Sequence, residues 1–183
     1  MTTRTITPAI ADLAAEITAI VRRDGLASID TARVVADALR GTLGKPGLLL
    51  AEQTRPKTEC YCQHPLYSDP DGAFSIVALV WMPGQGTVIH DHITWCVVGV
   101  YAGDEEETLY RLVENGVDAP HLAQSGHSVN HEGTTTYFAP PGDIHRVQNS
   151  SDGKVVSIHV YGADISVTGS SVRRTYDLPI RTA

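Results

Sequence analysis

The sequence predicts a mainly β fold, a barrel with two N-terminal α-helices packed on its outside, and three observations carry that expectation. Apolar residues recur at helical spacing only before Gly44. From Tyr61 onward the chain changes to β-rich segments divided by Gly, Pro, Asn and Asp. At 183 residues it is long enough to bury one continuous core around a closed barrel. Residues 1–183 are therefore read as a single domain, with a helical part over 1–47 and a β-barrel over 48–183.

The first helix is expected over Pro8–Arg23, where Ile10, Leu13, Ile17, Ile20 and Val21 share one face. The second is expected over Ser28–Leu43, through Ile29, Val34, Val35 and Leu39. Gly44-Lys45-Pro46-Gly47 ends the helical region, and Leu48 to Thr58 leads into the barrel. Phe74–Met82 reads as a strand. Turns are expected at Asp69–Gly72, Pro83-Gly84, Gly103-Asp104, Asn115-Gly116, Gly133 and Pro140–Gly142. The acidic run Asp104–Glu107 directly follows a turn glycine and reads as a solvated hairpin tip. No internal repeat or low-complexity linker interrupts the pattern.

A net charge of −7 argues against a general nucleic-acid surface, and no apolar stretch approaches the length of a membrane span. Met1-Thr2-Thr3-Arg4 lacks the apolar centre of a secretory signal, so a cytoplasmic location is expected. Three cysteines form no disulfide framework and suit a reducing compartment. Cys60 and Cys62 lack a companion pair and are read as non-ligands. His64, His121, His127 and His131 stand in polar or loop-like surroundings and are read as solvated.

The remaining histidines carry the chemistry. His90 and His92 are separated by one residue, so on a strand both rings point to the same face, where they can hold a single ion. His145 would supply a third nitrogen. Gly84, His90, His92 and Gly103 follow the spacing of the first motif of the cupin superfamily, and Cys96 stands where that motif usually carries a glutamate ligand. Gly133, Pro140, Gly142, His145 and Asn149 follow the second motif with one extra residue before Pro140. Two matched halves in the right order resemble that superfamily far more specifically than a lone His-x-His does. The resemblance implies a double-stranded β-helix, or jelly-roll, barrel. Three neutral imidazoles leave the full charge of a divalent ion uncompensated, which favours an anionic ligand such as a thiolate and open positions for dioxygen. Fe(II) is the expected ion.

The strand Ser157-Ile158-His159-Val160-Tyr161 alternates in period two, placing Ser157, His159 and Tyr161 on one face. With the two histidine motifs, it resembles the cysteine dioxygenase family of thiol dioxygenases over roughly Tyr61 to Arg174. That resemblance implies a Tyr161 hydroxyl aimed at the substrate and dioxygen pocket, held by His159, and a thioether crosslink between Cys96 and Tyr161 as an alternative to plain packing of the cysteine. Tyr61-Cys62-Gln63-His64 resembles the bacterial branch with Gln at the pocket position, associated with 3-mercaptopropionate. Gln63 and an arginine, Arg174 ahead of Arg173, would then bind the substrate's carboxylate.

The activity implied is a mononuclear Fe(II) thiol dioxygenase that adds both atoms of O2 to the sulfur of 3-mercaptopropionate or L-cysteine. Its partners are a small thiol and O2, with neither nucleic acid nor membrane, in a monomer or homodimer. Two alternatives stay open at this level: a metal-dependent cupin of another class, such as an isomerase, and a cupin that binds a ligand without turnover.

Overall fold

The structure, a computed structural model, describes residues 5–114, 116 and 119–181. Asn115, half of one expected turn, and the first four residues lie outside that set. Two helices lead the chain, α1 (Pro8–Val21) and α2 (Ser28–Leu43), joined through a short 3-10 turn at Ala51–Thr54 to the β region. Thr7 caps α1 by accepting from the Ile10 amide, while Pro8 occupies the first turn, where no backbone donor is needed. The helix ends two residues earlier than its apolar spacing suggests, with Arg22 as its C-cap.

The strands are β1 (Cys62–Ser68), β2 (Ser75–Trp81), β3 (His90–His92), β4 (Cys96–Ala102), β5 (Glu105–Val113), β6 (His121–Asn130), β7 (Thr135–Phe138), β8 (His145–Gln148), β9 (Val155–Tyr161), β10 (Val172–Thr175) and β11 (Ile180–Arg181). A short helix, α3 (Ile165–Thr168), lies between β9 and β10. Five strands pair in the order β1-β2-β9-β4-β7 and six in the order β10-β3-β8-β5-β6-β11. The expected barrel is thus flattened into a cupin-type sandwich of two sheets.

Its helices pack outside, as the sequence predicts, and the burial of β2 shows why they must. All seven residues of β2 are buried. Ile76, Ala78 and Val80 join Ile10, Leu13, Ile17, Val35 and Leu39 in a core between the five-stranded sheet and the helices. Val77, Leu79 and Trp81 face the other way, into the sandwich, with Cys96, Val98, Val147 and Tyr161. A strand covered on both faces loses the polar alternation of a half-solvated one. The helix contact is close: a Cβ at Gly99 of β4 would lie 2.7 Å from Leu39 Cδ2 of α2, so a side chain there would force Leu39 to shift.

Two surface expectations are corrected. The acidic run after Gly103 is no hairpin tip, because β5 begins at Glu105, and Glu105 and Glu107 are buried while Glu106 alternates outward. Gly103 itself makes the turn at φ +81, which lets the strand start immediately. His121 is also buried, its Nδ1 3.1 Å from the Ala119 carbonyl.

Candidate metal centre

Strand pairing assembles the three histidines. β3 runs antiparallel to β8 with His90 opposite His145, and the period of two puts His92 on the same face as His90. Their ligand atoms lie within 4.8 Å of one another, and all three residues are buried. Each Nδ1 has an acceptor: the Val88 carbonyl for His90 at 3.0 Å, Asp143 Oδ2 for His92 at 3.1 Å, and Glu107 Oε1 for His145 at 2.7 Å. A carbonyl or carboxylate can only accept, so each Nδ1 carries its ring's proton and each Nε2 keeps a lone pair. Burial, together with the neighbouring His145 and His92, pushes His90 down to about 3, and burial lowers His92 as well. His90 and His92 are therefore neutral at physiological pH, as metal ligation requires. The donor set fits one metal ion, with two carboxylates behind it to fix ring orientation.

Asp143 also accepts the backbone N–H of His92 at 2.9 Å. Burial alone would raise its carboxyl, but the hydrogen bonds from His92 prevail and hold it below the usual range. Neither Asp143 nor Glu107 stands out among the sequence-level candidates. No signal in the sequence marks Glu107, because three consecutive glutamates show no alternation and their alternate burial appears only in the folded strand. Asp143 has a weak one, as a carboxylate two residues from a ligand histidine.

Opposite the cluster, β9 turns Ser157, His159 and Tyr161 inward. The Tyr161 hydroxyl lies 3.2 Å from His159 Nδ1, and His159 Nε2 lies 3.0 Å from Ser157 Oγ, which accepts from Trp81 Nε1 at 3.1 Å. Burial first, then the three other histidines, pushes His159 down to about 3, leaving it neutral. Burial drives the Tyr161 hydroxyl well above its usual value, so it remains a phenol. Cys96 is the direct register partner of Tyr161 across β4 and β9, is fully buried, and keeps its thiol proton for the same reason.

A cavity of about 250 Å³ opens on these groups. Its lining includes His90, His92, His145, His159, Tyr161 and Gln63, with Val77, Leu79 and Val147 as apolar walls. The segment after Tyr161 forms one side of it through Ile165, Ser170, Ser171 and Val172. Ser157 lies behind His159 rather than in the lining. Arg173 and Arg174 lie elsewhere: both donate to Asp91 Oδ2, from Arg173 Nη2 at 2.6 Å and from Arg174 Nε and Nη2 at 3.1 and 2.8 Å. Tyr176 donates to the same oxygen at 2.7 Å. Asp91 points away from the cavity because it alternates with His90 and His92 on β3. Among the described residues, those lining the cavity include no lysine or arginine.

Fold and cluster together define a metal-binding cupin. The family model for cysteine dioxygenase type I matches residues 58–169, more than half of the chain, and the protein belongs to that family. It is 31% identical over 98 residues to cysteine dioxygenase type 1 of Danio rerio, covering 52% of this chain and 48% of that protein. The corresponding protein of Homo sapiens is 27% identical over 112 residues, covering 60% and 55%. The chain thus spans about half the length of the curated relatives it matches. Among solved structures, a cupin superfamily protein from Desulfitobacterium hafniense matches with a TM-score of 0.47 at 12% identity, covering 66% of this chain and 94% of that one. A cupin 2 conserved barrel domain protein from Salinispora arenicola matches with a TM-score of 0.43 at 22% identity, covering 66% and 91%.

Proposed function

We propose that the protein is a mononuclear Fe(II) thiol dioxygenase that converts a small thiol carboxylate, R–SH, and O2 into the sulfinic acid, R–SO2H. One observation carries this reading: three buried imidazoles open on a small cavity whose facing wall includes His159 and Tyr161, with Ser157 behind them, in a member of the cysteine dioxygenase type I family. The ion would sit on the Nε2 atoms of His90, His92 and His145. Bound there, Fe(II) supplies a redox-active Lewis acid at which a thiolate and dioxygen can meet, with the thiol itself as reductant.

The remaining work falls to side chains. Three protein ligands from one side fix the direction from which a thiolate can approach, which is catalysis by positioning. Tyr161, a neutral phenol held by His159, presents a hydroxyl to the reacting atoms. Val77, Leu79 and Val147 keep the site apolar and exclude water. We assign Gln63, which lines the cavity, to hydrogen-bonding the substrate's carboxylate, and in the absence of a lining cation among the described residues this amide favours 3-mercaptopropionate over L-cysteine in our reading. Arg173 and Arg174, held by Asp91, would support β3 and β10 rather than touch substrate. The register pairing of Cys96 with Tyr161 supports a thioether between them, formed with loss of two hydrogens to dioxygen; intact-protein mass spectrometry before and after turnover would reveal it.

The test is oxygen uptake by Fe(II)-loaded protein with 3-mercaptopropionate, L-cysteine and cysteamine in parallel, with products identified by mass. A sulfinate carrying both oxygen atoms of labelled O2 is the expected product. Absence of thiol-dependent uptake would overturn the reading and leave a metal-binding cupin of another class.

A further inference from the structure

Two residues before Glu107, on the same inward face of β5, stands a second carboxyl. Glu105 is completely buried, and among the described residues neither of its oxygens accepts a hydrogen bond. A carboxyl so placed is costly when ionised, which calls for a role that uses its proton. It faces Ser157 and Trp81, near enough for both to lower its affinity for a proton, but neither stands in hydrogen-bonding geometry to it in this structure. It is not among the residues lining the cavity.

From Ser157 a row of hydrogen-bonding atoms leads to the pocket: Ser157 Oγ, the two nitrogens of His159, and the Tyr161 hydroxyl, at spacings of 3.0 and 3.2 Å. Each member can donate and accept, and the neutral His159 ring carries one proton. The row therefore has two orientations. A turn of the Ser157 hydroxyl or of the carboxyl would extend the row to Glu105: with Glu105 protonated, its O–H would be offered to Ser157, Ser157 would donate to His159 Nε2, His159 Nδ1–H to Tyr161, and the phenol proton would point into the cavity. With Glu105 ionised, every bond reverses. Ser157 donates to the carboxylate, His159 donates from Nε2, and Tyr161 donates to Nδ1, leaving its oxygen lone pairs toward the cavity.

We propose that Glu105 is the proton store of this site, taking up through Tyr161, His159 and Ser157 the proton that a thiol gives up on binding and returning it to the pocket afterwards. The balance is simple. The thiol proton passes to the Tyr161 oxygen, the phenol proton to His159 Nδ1, the Nε2 proton to Ser157, and the Ser157 proton to Glu105, so that R–SH and the carboxylate become R–S⁻ and the carboxylic acid. No group changes oxidation state, and the row ends in its other orientation, ready to run backward.

The surroundings suit exchange near neutral pH. Burial raises the Glu105 carboxyl to about 7, opposed by Ser157 and Trp81 and reinforced by the negative Glu107. The groups facing it are Glu107 on its own strand, Trp81 on β2, Ser157 and Tyr161 on β9, Cys96 on β4, and Asn130 opposite it on β6. None of these is cationic, so nothing holds the carboxylate permanently ionised. A donor whose affinity for protons matches ambient pH exchanges them with least free-energy loss in either direction.

The identity of the proton's source rests on the thiol dioxygenase reading, but the switching of the row does not. The first measurement is the nitrogen NMR spectrum of the His159 ring in protein loaded with diamagnetic Zn(II), as a function of pH. The wild type should move from Nδ1–H to Nε2–H as pH rises through neutrality, and Glu105→Gln should abolish the switch. Infrared difference spectra should show a buried carboxylic acid signal that disappears over the same range and is missing from E105Q. In the Fe(II) protein, E105Q should lower kcat about tenfold or more and flatten its pH profile, with KM for 3-mercaptopropionate within about twofold. A His159 tautomer that ignores pH in the wild type, or still responds in E105Q, overturns the proposal. If E105Q does not fold, Ser157→Ala decides the matter: the infrared titration should persist while His159 no longer follows it, and continued coupling sinks the idea. Failure of wild-type thiol turnover with the tautomer switch intact would count against the dioxygenase reading alone.

Discussion

The two faces of β3 treat burial in opposite ways. Inward, His90 and His92 are kept uncharged, with each Nδ1 committed to an acceptor and each Nε2 bare. Outward, Asp91 is fully buried and stays charged, because Arg173, Arg174 and Tyr176 all donate to its Oδ2. Burial alone would raise the Asp91 carboxyl, and these donors together reverse that and hold it well below the usual range. A metal site needs lone pairs free of protons, whereas a strand joint needs a charge its neighbours can grip. The difference teaches that adjacent residues of a three-residue strand can serve unrelated purposes, and that a nearby cation belongs to whichever carboxylate is already within reach.

The most severe way to break the inner face is to remove a ligand. His90→Ala should abolish both iron binding and thiol-dependent oxygen uptake, measured by metal analysis and an oxygen electrode, while the fold persists by circular dichroism. Wild-type turnover in this variant would remove the metal assignment altogether. A milder disturbance acts from behind. Glu107→Gln keeps the side-chain volume but offers His145 Nδ1 a neutral acceptor, and loss of such a partner should weaken metal affinity about 10–100-fold in competition titrations.

Much of the inner face was legible in the sequence, because metal ligation imposes a spacing: His90, His92 and His145 can be read from two motifs, and Ser157, His159 and Tyr161 from one strand period. The helices were legible for the same kind of reason, through their 3.6-residue repeat. What escaped was every group whose meaning depends on the opposite sheet or a distant strand. Glu105 and Glu107 resemble surface acid until β5 takes its place in one sheet and turns them toward the other. Arg173 and Arg174 resemble free cations until β10 pairs with β3 and sets Arg174 opposite Asp91. Local composition describes a residue's chemistry, but it cannot say which partner the register will supply.

The outer face can be broken at its centre. Asp91→Asn should destabilise the protein by about 2 kcal/mol, the scale of losing hydrogen bonds to a charged group whose donors can return to water. The reading is a lower midpoint in urea, with metal stoichiometry retained. Arg174→Ala then sharpens the contrast between the two faces. If the guanidinium belongs to Asp91, KM for 3-mercaptopropionate should stay within about twofold while the melting temperature falls; a rise in KM of about tenfold or more at unchanged stability would place it on substrate instead.

The last contrast separates the buried titrating groups by sign. His159 in the folded protein titrates near 3, against about 6.5 when exposed. Between those values the unfolded chain binds a proton that the folded protein refuses, so its contribution makes stability fall as pH drops from about 6.5 toward 3. Glu105 works the other way. Raised to about 7 in the fold from about 4.3 when exposed, it holds a proton that the unfolded chain releases, and its stabilising contribution is present below about 4.3 and lost as pH rises toward 7. Each slope is at most about 1.4 kcal/mol per pH unit. Urea titrations of metal-free wild type and E105Q across this range should therefore diverge between about pH 4.3 and 7, with the variant gaining relative stability as pH rises. Parallel curves would mean that Glu105 keeps one protonation state throughout, and the inner face would then contain no titrating carboxyl of the kind its geometry describes.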